Sequence, residues 1–308
     1  MNSKLVGGIV LASVVVILLA SFSPIFQIQG DEDTLDVFII DGQSNAAYVN
    51  EVGSVDLDVV NDTLGTPDRS LFYYGSSIRP TMYSDSNTDY SIRPIYSDGE
   101  YKVGGLVAPF AYYLSEAQNR DVLVLDVGIS AQSIVNLVPG SVGGNWKTKV
   151  ISDALSSITG YDHVNLVGWA WLQGESDKTM AVNTYTGYFN DLEDYYSSIG
   201  CPNCYIVKTR EAYGGNATIA QENLIATNPN IHLGTDITDT FTGTDYMLDN
   251  LHYSQAARII IADKVVEVIP VENYGNWDSV NPILAAIPVV IILAMVVGVA
   301  TFALRSRE

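Results

Sequence analysis

The chain has 308 residues, is 47% hydrophobic and carries a formal charge of −20. Three of its 15 basic residues (Lys4, Arg305, Arg307) but only one of its 35 acidic ones (Glu308) lie outside the stretch from Asp31 to Asp278, so that stretch holds 12 basic and 34 acidic side chains, a net −22. Its many Val, Ile, Leu, Tyr and Trp exclude disorder, its acidity excludes nucleic acid as a partner, and collagen, coiled-coil and disulfide-scaffold classes fail on composition.

Leu5 to Phe22 is an uncharged, mostly apolar run of 18 residues, about 27 Å long as a helix and close to a bilayer core of ~30 Å. Lys4 before it and Asp31-Glu32-Asp33 after it orient the N-terminus inward. Residues 1–30 are expected to be a membrane anchor or a cleaved signal segment, for which Ser21-Phe22-Ser23 offers a small-residue exit. Residues 31–279 then form an extracytoplasmic domain.

Leu35 to Ile40 reads as a buried strand ended by a glycine turn. Val49 to Gly104 loses the pattern. It contains a near-repeat, Ser77-Ile78-Arg79-Pro80 and Ser91-Ile92-Arg93-Pro94, read as irregular strands or a hairpin at one sheet edge. A sharper reading makes it a lip in which Arg79 or Arg93 grips a substrate carboxylate. Strands follow at Val122 to Val127, Val164 to Trp171, Cys204 to Val207 and Ile231 to Leu233. Helices are expected at Val107 to Gln118, Val150 to Ile158, Tyr185 to Ser197, Thr218 to Thr227 and Ser254 to Val268. This alternation predicts an α/β fold with a parallel sheet covered on both faces.

Cys201 and Cys204 are the only cysteines. Outside the cell they are expected to close a small loop disulfide; a zinc site lacks further ligands nearby. Asn61 and Asn216 each begin a glycosylation sequon. Pro282 to Leu304 is a second uncharged run, of 23 residues, closed by Arg305 and Arg307. Residues 280–308 are expected to be a transmembrane helix with a cytoplasmic tail.

Ligands of such sheets bind beyond the carboxyl ends of the strands. After the first strand comes Asp41-Gly42-Gln43-Ser44-Asn45. There Ser44 is expected to open a helix, with backbone N–H groups and the helix dipole facing a developing oxyanion. A serine nucleophile needs a histidine base oriented by a carboxylate. Of three histidines, His163 lies at the wrong end of a strand and His232 within one. His252 lies in Asp249-Asn250-Leu251-His252, just before the last helix, with Asp249 placed to receive its Nδ1–H. After the third strand comes Trp171-Leu172-Gln173-Gly174-Glu175-Ser176-Asp177, and after the second Gly128-Ile129-Ser130-Ala131-Gln132-Ser133, both able to supply oxyanion donors.

Together these segments resemble the SGNH/GDSL hydrolase superfamily, and within it the sialate O-acetylesterase-like group that includes carbohydrate esterase family six. The resemblance implies a three-layer α/β/α flavodoxin-like sandwich, no metal or other cofactor, and hydrolysis of acetyl esters on sugars. It places Ser44 at the nucleophile, Asp249 and His252 at the closing Asp-x-x-His block, and Gln173 at the oxyanion amide beside the N–H groups of Ser44 and Ala131. Glu175 touches substrate or supports the site. One departure is Ala131, where the family has glycine: the donor survives if φ there is negative and is weakened if the conformation requires positive φ. Two other readings stay open, a non-catalytic carbohydrate-binding or adhesion protein on a degenerate hydrolase fold, and a lipid esterase or thioesterase.

Overall fold

The first predicted strand is apolar on both faces, and in the computed structural model it is the sheet's middle. This model describes residues 34–47, 55–67, 70–74, 91–97 and 99–271, all within one unit of contacts, Asp31–Val271. Strand β1 (Thr34–Gly42) is buried along its whole length. The other strands are β2 (Ser70–Tyr74), β3 (Ser91–Pro94), β4 (Tyr96–Ser97), β5 (Glu100–Tyr101), β6 (Asp121–Asp126), β7 (His163–Leu172), β8 (Cys204–Val207) and β9 (Ile231–Thr235). The main sheet has the order β3-β2-β6-β1-β7-β8-β9. β3 pairs antiparallel to β2, and all other neighbours are parallel. Without the β2–β3 edge the order is the flavodoxin-like 2-1-3-4-5, whose switch point lies between β1 and β7.

Seven helices are described: α1 (Leu57–Thr63), α2 (Val107–Gln118), α3 (Val142–Ser157), α4 (Val182–Ser198), α5 (Glu211–Gly214), α6 (Asn216–Thr227) and α7 (Gln255–Val266). Alternate residues of β1 face two cores. Phe38 and Ile40 join α2 and α7, with Phe38 stacked on Phe110 at 4.9 Å. Leu35, Val37 and Ile39 join α3, α4 and α6, where Trp169 and Trp171 meet Phe189 and Tyr196. Each such side chain, fully buried, contributes about 1.5–3 kcal/mol, so helices cover both faces and the sheet is the middle of three layers.

Several expectations need adjustment. α3 starts at Val142 rather than Val150, because Ser141 caps it by accepting from the N–H of Gly144. α1 was not expected; Asp56 caps it through the N–H groups of Asp58 and Val59. The Val49 to Gly104 stretch supplies the antiparallel edge β2–β3 and the small β4–β5 pair. Arg79 and the Arg93 side chain lie outside the described residues, as do Leu5 to Phe22 and Pro282 to Leu304. Among the described residues no helix is long and apolar enough to cross a membrane. The expected disulfide is not formed. Cys201 and Cys204 are free thiols packed into the Trp169 core, where burial pushes the Cys201 thiol up to about 12 and Cys204 well above its ordinary value. Thiols so protonated are inert.

Candidate active site

The Ser44 turn is fixed by close contact between strand ends. Gly42 has φ +141, and a Cβ there would lie 2.1 Å from the carbonyl oxygen of Leu172, so β1 and β7 meet at a point only glycine allows. The N–H of Gln43 donates to Leu172 O at 2.9 Å, and the carbonyl of Gln43 accepts from Ala46 and Ala47, both at 2.9 Å. Ser44 therefore sits in a tight hydrogen-bonded turn, and the residues over which the expected helix would continue, 48–54, lie outside the described residues. The turn stands at the sheet's switch point, half-exposed at Ser44.

His252 arrives on a closed loop. Met247 and Tyr253 form an isolated bridge, and Leu248 N–H donates to His252 O at 2.9 Å. Asp249 Oδ1 accepts from the N–H groups of Leu251 (2.6 Å) and His252 (2.7 Å), and its Oδ2 lies 2.8 Å from His252 Nδ1. A carboxylate only accepts, so in the neutral imidazole the proton sits on Nδ1 and Nε2 presents a lone pair. That Nε2 is 3.1 Å from Ser44 Oγ. Partial burial pushes the Asp249 carboxyl up, but hydrogen bonds from the His252 ring and the two N–H groups hold it below its ordinary value. The sequence-predicted triad of Ser44, His252 and Asp249 is thus brought together. His163 begins β7 at the far end, and His232 stacks on Tyr205 within β9.

Asn45, which the sequence reading passed over, braces this triad. Its side-chain N–H donates to Leu251 O at 3.2 Å, and its Oδ1 accepts from the N–H of Tyr253 at 3.2 Å, so it holds the backbone on both sides of His252. It also donates to Glu175 Oε1 at 2.8 Å. Glu175 is thereby tied to the loop that carries His252 through Asn45. Burial raises its carboxyl pKa, opposed by its own backbone N–H, Asn45 and His252. A group that binds its proton more tightly when folded favours folding at acid pH, and that advantage is lost as pH rises through its folded pKa. Glu175→Gln keeps the acceptor for Asn45 without the charge. Its melting temperature is expected to exceed wild type by a few degrees at pH 8 and to lose that lead at pH 4, as read by thermal unfolding across a pH series.

Gln173 requires a correction. The side-chain amide expected at the oxyanion is buried and turned inward: its Nε2 donates to the Asp177 carboxylate and to Gln132 O, and its Oε1 accepts from the Tyr185 hydroxyl at 2.9 Å. Both amide hydrogens are spent, so it has none to give a substrate. The same Asp177 accepts from the Ser133 hydroxyl and the Ile134 N–H. Gln173 and Asp177 thus pin the loop after β6, and that loop carries Ala131. Gly128 lets it nest on the Ser44 turn, since a Cβ there would lie 2.7 Å from Ala47 N.

With Gln173 committed, the expectation of oxyanion donors rests on the N–H groups of Ser44 and Ala131. Ala131 adopts φ +58, so the departure from glycine places an L-residue in the left-handed region, a strain of about 1–2 kcal/mol. Ala131→Gly is expected to raise the melting temperature by about 2–4 °C and to leave kcat equal or higher. A fall in both would mean that the methyl group packs against something the site needs.

Beside Asp249 and Asn250 lies a groove of about 390 Å³ lined by Arg210, Tyr213, Phe241 and Met247. Arg210 Nη1 donates to Asn250 O at 3.2 Å and secures the Asp249 loop from that side. Among the described residues no group of three His, Cys, Asp or Glu side chains is arranged to hold a metal ion.

No family model matches the chain, and no curated protein matches it by sequence. Among solved structures, a protein of Arabidopsis thaliana aligns over 76% of this chain and 97% of its own, with TM-score 0.50 and 16% identity. NanS aligns over 78% and 97%, with TM-score 0.51 and 18% identity. These likenesses show a shared fold.

Proposed function

We propose that this protein is a serine esterase that removes O-acetyl groups from carbohydrates, held at the cell membrane with its catalytic domain outside. The observation that carries the reading is the continuous chain Asp249–His252–Ser44, at 2.8 and 3.1 Å, at the sheet's switch point. His252 takes the Ser44 proton as Oγ bonds to the acetyl carbonyl carbon. The N–H groups of Ser44 and Ala131 hold the oxyanion. The tetrahedral intermediate collapses, the sugar oxygen leaves with the proton from His252, and acetyl remains on Ser44. His252 then draws a proton from water, hydroxide adds to the acetyl carbon, and acetate departs as Ser44 regains its proton. The acetyl sugar and the membrane are the partners in this reading. The sugar class rests on the resemblance of the Gly42-Gln43-Ser44-Asn45 and Trp171 to Asp177 segments to sugar acetylesterases. The membrane location rests on Leu5 to Phe22 and Pro282 to Leu304.

The test is fluorophosphonate labelling together with p-nitrophenyl acetate turnover, followed by acetate release from acetylated sialosides and polysaccharides. Folded wild type that neither labels nor hydrolyses removes the enzyme reading. The strained Ala131 and the inward Gln173 favour one second reading, a glycan-binding protein on a hydrolase fold. Glycan binding without turnover, unchanged by Ser44→Ala, would identify it.

A further inference from the structure

Three residues before Ser44, at the end of β1, a charged pair is completely enclosed. Asp41 is 0% exposed and Lys147 2%. Asp41 Oδ2 accepts from Lys147 Nζ at 2.6 Å and from the Tyr196 hydroxyl at 2.8 Å, while its Oδ1 accepts from the N–H of Gly42 at 2.7 Å. Lys147 Nζ also lies 5.8 Å from the centre of the Trp171 ring. The pair spans two walls of the site. Lys147 belongs to α3, whose first turn presses on the segment after the Ala131 loop: a Cβ on Gly143 would lie 2.4 Å from Asn136 O, and one on Gly144 1.8 Å from Val138 O. That loop also touches β1 directly, through Ile129 N–H to Gly42 O at 2.9 Å.

A buried ion pair is a poor source of net stability, because desolvation consumes most of its attraction and apolar replacements of similar volume are often as stable. What three donors on one carboxylate do supply is location. Here the located peptide leads directly into the nucleophile turn. We infer that Asp41, Lys147 and Tyr196 are positioning residues: a clamp that holds the Ser44 turn and the Ala131 loop in mutual register. The clamp's kinetic consequence rests on the esterase reading; the ordering of the two segments does not.

The experiment compares wild type with Asp41→Asn/Lys147→Met, which removes both charges together and leaves neither unpaired. The amide oxygen that replaces the carboxylate can still accept from the N–H of Gly42. The expected result is a melting temperature near wild type, KM for p-nitrophenyl acetate within about twofold, and kcat lower by about 10- to 100-fold, the loss that a misplaced nucleophile brings. Hydrogen exchange is expected to quicken over residues 42–47 and 130–136 and to stay unchanged elsewhere. A folded double variant with wild-type kcat and wild-type exchange overturns the clamp. Should that variant fail to fold, Tyr196→Phe decides: it keeps both charges and is expected to lower kcat about 2- to 5-fold, as loss of one hydrogen bond does, and unchanged kcat and exchange overturn the clamp. Should wild type show no turnover, the esterase reading falls and the exchange rates alone decide the clamp.

Discussion

Ser44→Ala is expected to lower kcat on p-nitrophenyl acetate by a factor on the order of 10⁶ and to abolish fluorophosphonate labelling. Ser44 Oγ is the hydroxyl that His252 Nε2 contacts, at 3.1 Å. The variant should also fold as wild type does. Ser44 is only half-buried, and the turn around it is made by the Gln43 carbonyl and Gly42, not by the serine hydroxyl. A melting temperature within a degree or two of wild type, alongside lost turnover, separates chemistry from folding. Substantial turnover by the alanine variant would place the nucleophile elsewhere.

Asp249→Asn is expected to lower kcat by about 10²- to 10⁴-fold while changing KM little. The reason is the tautomer. An asparagine oriented with its oxygen at Oδ1 still caps the N–H groups of Leu251 and His252, so the loop stays closed. Its amide then donates to Nδ1, which forces the imidazole proton onto Nε2, facing Ser44, and the base is lost. The lower end of the range reflects exposure, since the Asp249 side chain is 43% exposed and water can share its role. The depressed pKa of Asp249 adds a pH signature. Its contribution to stability is present above the ordinary aspartate range and lost as pH falls through the lower, folded value. In the asparagine variant the acid loss of stability should therefore shrink, as read from a pH–melting series.

The longest strands read from the sequence are those whose side chains meet cores on both faces of the sheet. Leu35 to Ile40, Val122 to Val127 and Val164 to Trp171 are mostly apolar runs, broken by Asp36, Asp126, Asn165 and Gly168, and each lies within an observed strand or runs one residue past its end. The triad was legible for a related reason, since each member follows a strand or precedes a helix at the sheet's carboxyl edge. What was not legible depends on where a side chain turns. Gln173 has the composition of an oxyanion amide, and only the position of Asp177, four residues on, reveals that its hydrogens are already used. Cys201 and Cys204 have disulfide spacing, but the aromatic core beside β8 holds them as separate thiols. Asn45 stood in the same block as Ser44, yet its partners lie 130 residues or more away. The Asp41–Lys147 pair is separated by 106 residues, and neither residue carries a local pattern.

The brace made by Asn45 has a consequence for any rebuilding of this site. Nucleophile and base are not two modules carried by independent loops, because the residue after the serine fixes the peptides on either side of the histidine. Exchanging the segment from about residue 241 to 253 for that of another protein transplants only half of a fitted joint. Such a chimera needs an acceptor for the Asn45 amide and a donor to its oxygen at the same two places. Insertions are better tolerated before Met247, upstream of the bridge to Tyr253, than between those two residues, where the loop closes.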